Sequence, residues 1–151
     1  MNLDAWSPKI LSLLRIVTGL VFLQHGTQKI LHFPHALAPP PGAGGAARAA
    51  GAAAAGAAKA APSLAGMLAP WSGWFELIGG ILMVIGLFSR PVAFLLSGEM
   101  AIAYFTAHMP RSPFPILNGG DLAVLFCFIF LYLFFAGPGP ISVDGMMKKK
   151  I

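Results

Sequence analysis

The sequence predicts an all-α fold, an integral membrane bundle of four antiparallel helices that run up and down through the bilayer. Three observations predict it: 57% of the residues are hydrophobic, only 10% are charged, and the mean hydropathy is +0.77. Soluble domains carry about 25% charged residues, and their helices keep a polar stripe for water. Residues 122–135 offer no such stripe, so residues 1–151 are interpreted as a single membrane domain.

Four apolar segments, each close to the ~20 residues that cross a hydrocarbon core, are the predicted spans. They cover residues 10–31, 71–88, 91–109 and 121–137. Pro8 and Pro91 suit the first turn of a helix, where proline is common. Ser7 and Ser89 are the expected helix caps, and Pro138 stops the fourth span. Because very few residues separate the second span from the third, these two must form a tight antiparallel hairpin.

The basic residues predict the orientation of the spans. With the N-terminus in the cytoplasm, the inner side collects Lys9, Arg90 and the lysine run 148–150. The outer side then carries fewer basic residues, namely Arg48, Lys59 and Arg111. An excess of Lys and Arg marks the cytoplasmic side, so both termini are predicted to be cytoplasmic. Topology and attraction to anionic lipid account for the net charge of +5 without a nucleic-acid partner.

Residues 34–70 are predicted to form a low-complexity external loop between the first two spans. From Ala43 to Ala61 every residue is Ala, Gly, Arg or Lys. Ala and Gly contribute little to a packed core, and Arg48 and Lys59 oppose insertion into lipid. A fifth span here would also move the triple lysine to the outer side, against the trend for basic residues.

The ionisable residues inside the predicted spans are the main candidate site residues, because a charge in lipid is costly and is expected to face the bundle interior. At a rise of ~1.5 Å per residue, His25 and Glu76 lie at one depth, with Lys29 about one turn further out. Arg15 and Glu99 lie nearer the cytoplasmic edge by the same measure. The sequence therefore predicts an outer cluster of His25, Lys29 and Glu76. It also predicts an inner ion pair between Arg15 and Glu99.

Each of these residues also has a purely structural interpretation. Arg15 and Lys29 lie near helix ends and can extend their charges to the membrane interface. Glu76 and Glu99 can serve either interior pairing or direct chemistry. His25 can be a satisfied interior histidine or a proton carrier. The sequence leaves these alternatives open.

Four further polar residues are secondary candidates. Tyr104 and His108 share a helix face near the outer end of the third span, where interfacial anchoring is expected. Asn118 and Asp121 belong to a turn before the fourth span, and the aspartate complements the helix N-terminus. The single Cys127 excludes a CxxC redox pair, and the sequence has no metal-binding motif, so no metal site is predicted.

Five motifs occur in order along the four predicted helices. They are Arg15-Ile-Val-Thr-Gly19 with His25-Gly26 and Lys29, then Glu76 to Pro91, Glu99 to Ala103, Asn118 to Asp121, and Gly137 to Asp144. This set resembles the DoxX family of bacterial membrane proteins and covers nearly the whole chain except the Ala/Gly tract. That tract departs from the compact loop usual in the family. The polar positions that match the family pattern are Arg15, His25, Lys29, Glu76, Glu99, Asn118 and Asp121.

The resemblance implies a membrane subunit of a quinone-linked oxidoreductase system in the bacterial cytoplasmic membrane. Quinone is the one cofactor it suggests, because the sequence shows no flavin, haem or metal motif. A soluble redox protein and a second copy of the chain are the candidate protein partners, and whether the chain is itself an enzyme stays open. Two other functions are retained: a non-catalytic scaffold or assembly factor, and a pathway for a small solute or protons.

Overall fold

A computed structural model describes residues 3–35 and 64–148, and over those residues it contains helices and turns but no strand. The all-α prediction is therefore confirmed. A π-helical turn, Tyr104–His108, continues the third helix. The helices of the described residues are α1 (Ser7–Leu31), α2 (Leu64–Ile85), α3 (Ser89–Ala103), α4 (Pro115–Asn118), α5 (Asp121–Ala136) and α6 (Val143–Lys148).

Among these described helices, α1 is the one that is both long and apolar enough to cross a membrane. Two shorter helical stretches are also apolar, Pro70–Ile85 and Asp121–Ala136. The 15 residues of α3 are followed without a break by the five residues of the π-helical turn. Length and composition therefore support α1 as a membrane span. Over the described residues, the other three predicted spans do not meet this criterion of length and composition.

The start of α2 differs from the sequence prediction. The helix begins at Leu64, so residues 64–70 are helical and do not belong to the predicted loop. Pro70 lies inside α2 and does not end it. A proline inside a helix removes one backbone hydrogen bond, whereas leucine, alanine and methionine, which flank it here, favour helix formation. The Ala/Gly tract within residues 36–63 lies outside the described residues.

The helices α1 and α2 pack closely through glycines on both sides. Four glycines lie at this interface, Gly19 and Gly26 on α1 and Gly73 and Gly80 on α2. A Cβ atom added to any of them would lie 3.1 Å or less from an atom of the facing helix, so the two helices approach each other at their backbones. Residue numbers rise along α1 as they fall along α2, which makes the pair antiparallel. The facing positions are Gly19 with Val84, Leu23 with Gly80, Gly26 with Leu77, and Ile30 with Gly73.

An apolar core joins all four long helices. The ring of Phe22 meets those of Phe126 and Phe130 edge to face, with 5.3 Å and 4.9 Å between ring centres. Met83 of α2 and Leu96 of α3 complete the centre, and both are fully buried. The closest helix pairs are α1 with α2 and α3 with α5, while α2 contacts α3 and α5 contacts α1. The four helices therefore form a closed cycle of contacts.

The glycine contacts predict the effect of one added methyl group. A Cβ at Gly26 would lie 2.4 Å from the backbone nitrogen of Leu77, so Gly26→Ala must push α1 away from α2. We expect a loss of about 2 kcal/mol of stability, typical of overpacking, measured by thermal unfolding in detergent.

Gly98→Ala is the matched control, because no heavy atom lies within 4 Å of a Cβ at that position. Alanine favours a helix over glycine, so this control should keep or slightly raise the stability. Equal stability of the two variants would contradict the close approach of α1 and α2.

Candidate functional site

Two of the three residues predicted for the outer cluster are in direct contact. Lys29 Nζ donates to Glu76 Oε1 at 2.6 Å, and it also lies 3.2 Å from the hydroxyl of Ser72. The glycine register of α1 and α2 produces this contact, because Gly73 faces Lys29 and lies one turn from Glu76. The Glu76 side chain is only 5% exposed, whereas that of Lys29 is 45% exposed. The carboxylate is therefore fixed in the interior, and the ammonium group reaches it from the edge.

The third residue of that cluster, His25, lies on the same helix but is not bonded to the pair. Its ring stands edge-on to Phe126 of α5, with 6.1 Å between ring centres. Over the described residues, no hydrogen bond joins His25 to Lys29 or Glu76. The imidazole ring therefore packs on the aromatic core and takes no part in the ion pair.

Glu99 belongs to this same region of the molecule. Gly79 of α2 packs on Leu96 of α3. Glu76 lies three residues before Gly79, and Glu99 lies three residues after Leu96. Because the two helices are antiparallel, Glu76 and Glu99 lie at the same level. The charges of Glu76 and Lys29 both act on Glu99. The two carboxylate oxygens of Glu99 are buried, and neither has a hydrogen-bonding partner among the described residues.

The predicted inner pair of Arg15 and Glu99 is wrong. The Arg15 side chain is fully buried, and its guanidinium group donates to four backbone carbonyl oxygens instead. Nε lies 2.9 Å from the oxygen of Pro138 and Nη1 lies 2.9 Å from that of Val84. Further bonds go to the oxygens of Met83 and Ile141.

The reason for this error is the depth assigned to Glu99. Glu76 lies nine residues before the end of α2 at Ile85, and Glu99 lies ten residues after the start of α3 at Ser89. A tight hairpin therefore sets the two glutamates level. Arg15 lies nearer the turn, and Asp144 is the acidic residue that acts on it electrostatically.

Asp144 ends the fifth sequence motif, but it is not among the predicted site residues. Its carboxylate accepts hydrogen bonds from the backbone N–H groups of Phe88 and Ser89 at 2.9 and 2.8 Å. Its own N–H donates to the oxygen of Gly86 at 3.0 Å. Asp144 thus serves the start of α3, where the sequence predicts Ser89 as the cap. Over the described residues, the buried hydroxyl of Ser89 has no partner.

The secondary candidates form a separate group at the other end of α3. The rings of Tyr104 and His108 stack at 6.4 Å, and the Tyr104 hydroxyl donates to the oxygen of Pro113 at 3.2 Å. His108 Nδ1 lies 3.1 Å from the oxygen of Asn118. Asn118 is buried and bonds the backbone on both sides of its turn. These contacts hold the loop before α5, and Asp121 is the exposed first residue of that helix.

An apolar groove of about 480 Å³ runs between α2 and α3. Leu96 forms part of its wall and lies one helical turn from Glu99. Within residues 3–35 and 64–148, no group of three His, Cys, Asp or Glu side chains is placed to hold a metal ion. The groove is lined by Trp71, Trp74, Phe75, Ile78, Gly79, Leu82, Val92, Leu95 and Leu96.

The DoxX family model matches residues 10–109, which include α1 from Ile10 onward and the whole of α2 and α3. The chain belongs to the DoxX family. A protein from Haemophilus influenzae, described as an uncharacterized protein, is 38% identical to this DoxX chain over 152 residues. The match covers 99% of this chain and 98% of the relative. No solved structure matches the chain significantly. DoxX is a family of membrane-associated proteins.

Arg15 provides a sharp test of this DoxX structure. Arg15→Met fills a similar space but leaves four carbonyl groups without their donor, and we expect a loss of at least ~3 kcal/mol of stability. Arg15→Lys keeps the charge but lacks the planar fork of donors, so its loss should be intermediate. Thermal unfolding in detergent measures both.

Arg111→Met removes an exposed guanidinium group and should change the stability by less than ~0.5 kcal/mol. If Arg15→Met unfolds at the same temperature as this control, the four hydrogen bonds from Arg15 to carbonyl oxygens do not contribute the stability expected here.

Proposed function

We propose that this DoxX protein is a four-helix membrane bundle surrounded by lipid. The distribution of its side chains supports this proposal. Each long helix presents large apolar side chains that are more than half exposed, such as Leu13, Ile78, Phe94 and Phe128. By contrast, the charged side chain of Arg15 is fully buried. Water favours the opposite distribution, whereas hydrocarbon favours this one, because polar groups in lipid must be satisfied inside the protein.

The orientation we propose has both termini in the cytoplasm of a bacterium. The start of α1, the α2–α3 turn and the C-terminal segment lie at one end of the molecule, because Ser12 accepts from the N–H of Ile141 and Asp144 bonds the turn. Lys9, Arg90 and the lysine run 148–150 belong to these segments. This accumulation of basic residues supports the cytoplasmic side for that end.

We further propose that the protein is the membrane subunit of a quinone-linked oxidoreductase system. The observation that carries this proposal is the buried, unpartnered carboxyl group of Glu99 beside the Lys29–Glu76 ion pair. A quinone head group accepts hydrogen bonds, and its reduction consumes protons. Lys29 is a donor at the edge of the interior, and the two glutamates are carboxyl groups in an apolar setting. A redox partner protein is expected to supply the electrons.

The apolar groove supports the same class of ligand. Its walls are hydrocarbon and aromatic, which suits the tail of a quinone that arrives from the lipid. Leu96 connects the groove to the level of Glu99, so a head group at the carboxyl cluster and a tail in the groove are compatible.

A scaffold role is the second candidate, and Arg15 favours it. The four hydrogen bonds of its guanidinium group all go to backbone oxygens, which supports a role in holding segments of the chain together. In a scaffold, the Lys29–Glu76 pair would act in the same way and fix the register of α1 and α2. Ligand binding distinguishes the two roles.

Single cysteines in a background where Cys127 is replaced by serine test the topology. We expect an impermeant maleimide added to intact cells to label a cysteine at Ser112, because the loop before α5 faces outward. Cysteines at Asp4 or Met146 should react only after lysis. Labelling of a cysteine at Glu76 or Glu99 by the impermeant reagent would contradict a lipid-embedded cluster.

Binding of a short-tailed quinone analogue to the purified protein in nanodiscs tests the function. Glu76→Gln and Glu99→Gln each remove one ionisable carboxyl group from the cluster with little change in shape. We expect each to weaken binding about tenfold, which corresponds to ~1.4 kcal/mol, the scale of one hydrogen bond.

Asp121→Asn is the matched control for binding, because it removes an exposed carboxylate away from the cluster. It should bind the analogue as the natural protein does. A protein that binds no quinone analogue, or variants that bind it unchanged, would leave the scaffold role as the better interpretation.

A further inference from the structure

The carboxyl cluster has one negative charge more than its cation can balance. Glu76 and Glu99 supply two carboxyl groups, and Lys29 supplies one ammonium group. Of the four carboxyl oxygens, only Oε1 of Glu76 is paired within the described residues. Oε2 of Glu76 and both oxygens of Glu99 are buried without a donor, and Glu76 as a residue is only 4% exposed.

The remaining groups around Glu99 do not supply the missing positive charge. From α1 the titratable groups are His25, whose ring faces Phe126, and Lys29, which is committed to Glu76. The helix α5 is packed against α3, and its Cys127 thiol contacts the hydroxyl of Ser97. Arg15 is held by carbonyl oxygens near the α2–α3 turn. Over the described residues, none of these groups makes a hydrogen bond to Glu99.

We propose that Glu99 is a proton-binding site, a neutral carboxylic acid that holds the one proton of the two-glutamate cluster. Two carboxylates at one level of an apolar interior cannot both stay ionised beside a single ammonium group. Burying an unpaired charge costs far more than burying an unpaired carboxylic acid. Lys29 contacts Glu76 directly, so Glu76 is the ionised partner and the proton resides on Glu99.

This arrangement allows the proton to be exchanged. When the O–H bond of Glu99 breaks, the proton leaves and a carboxylate remains, which requires a cation nearby. Lys29 is close to half exposed, so it can turn from Glu76 toward Glu99 while the proton passes from Glu99 to Glu76, and the cluster keeps one proton and one ion pair. In a quinone-linked protein a reduced head group would take this proton while a second proton from water replaces it, and that step rests on the proposed function. The proton site itself requires no quinone.

Infrared spectroscopy of the full-length protein in nanodiscs, without quinone, tests the inference. A protonated carboxyl group gives a carbonyl band distinct from that of a carboxylate, and this band shifts in heavy water. At neutral pH we expect one such band per chain. It should be lost in Glu99→Gln and kept in Asp121→Asn. It should also be lost in Glu76→Gln, because Lys29 is then free to pair with an ionised Glu99.

Modification by a lipid-soluble carbodiimide identifies which glutamate carries the proton in the natural protein, so this second experiment needs no variant. The O–H of a carboxylic acid adds across one C=N bond of the reagent and rearranges to a stable N-acylurea, with the mass of one whole reagent molecule gained. An adduct on the peptide that contains Glu99 supports the proposal. An adduct on Glu76 with Glu99 unmodified overturns it, as does a carboxylic acid band that persists in Glu99→Gln. Because no quinone is present, these results are independent of the binding experiment.

Discussion

The close approach of α1 and α2 determines the rest of the arrangement. Four glycines, two on each helix at a spacing of seven residues, let the two backbones meet with no room for a further methyl group. That contact fixes the register of the pair and places Lys29 beside Glu76. It also fixes the inner end, where the carbonyl groups of Met83 and Val84 meet Arg15. One steric constraint thus positions charged groups at both ends of the same interface.

The two polar regions of the molecule differ in how their groups are satisfied. Near the α2–α3 turn, the guanidinium group of Arg15 and the carboxylate of Asp144 both form hydrogen bonds with the backbone. At the level of Glu76 and Glu99, three carboxyl oxygens have no donor within the described residues. Charged groups that are bonded to the backbone resist change, whereas unsatisfied buried carboxyl groups have a capacity to bind. The chemistry that we propose for the DoxX protein is therefore assigned to the carboxyl region alone.

Some of these features can be predicted from the sequence, and others cannot. The all-α class and the proximity of Lys29 to Glu76 follow from apolar segments and helical rise, which are local properties. Arg15 and Glu99 could not be assigned in this way, because their surroundings depend on where α2 ends and α3 begins. The role of Asp144 as the cap of α3 was not predicted, because a capping residue that lies 55 residues away in the sequence leaves no local pattern. Hydrogen bonds to backbone oxygens, such as those of Arg15, are likewise absent from any motif.

The bonds of Arg15 have a consequence for the biogenesis of the protein. Ribosomes make α1 first, yet two of the carbonyl partners of Arg15, on Pro138 and Ile141, belong to the last part of the chain. During translation, Arg15 therefore lacks two of its four acceptors until the C-terminal segment has been made. Closure of this end of the molecule is a late event of folding, and a chain that stops before this segment leaves the guanidinium group with half of its carbonyl partners.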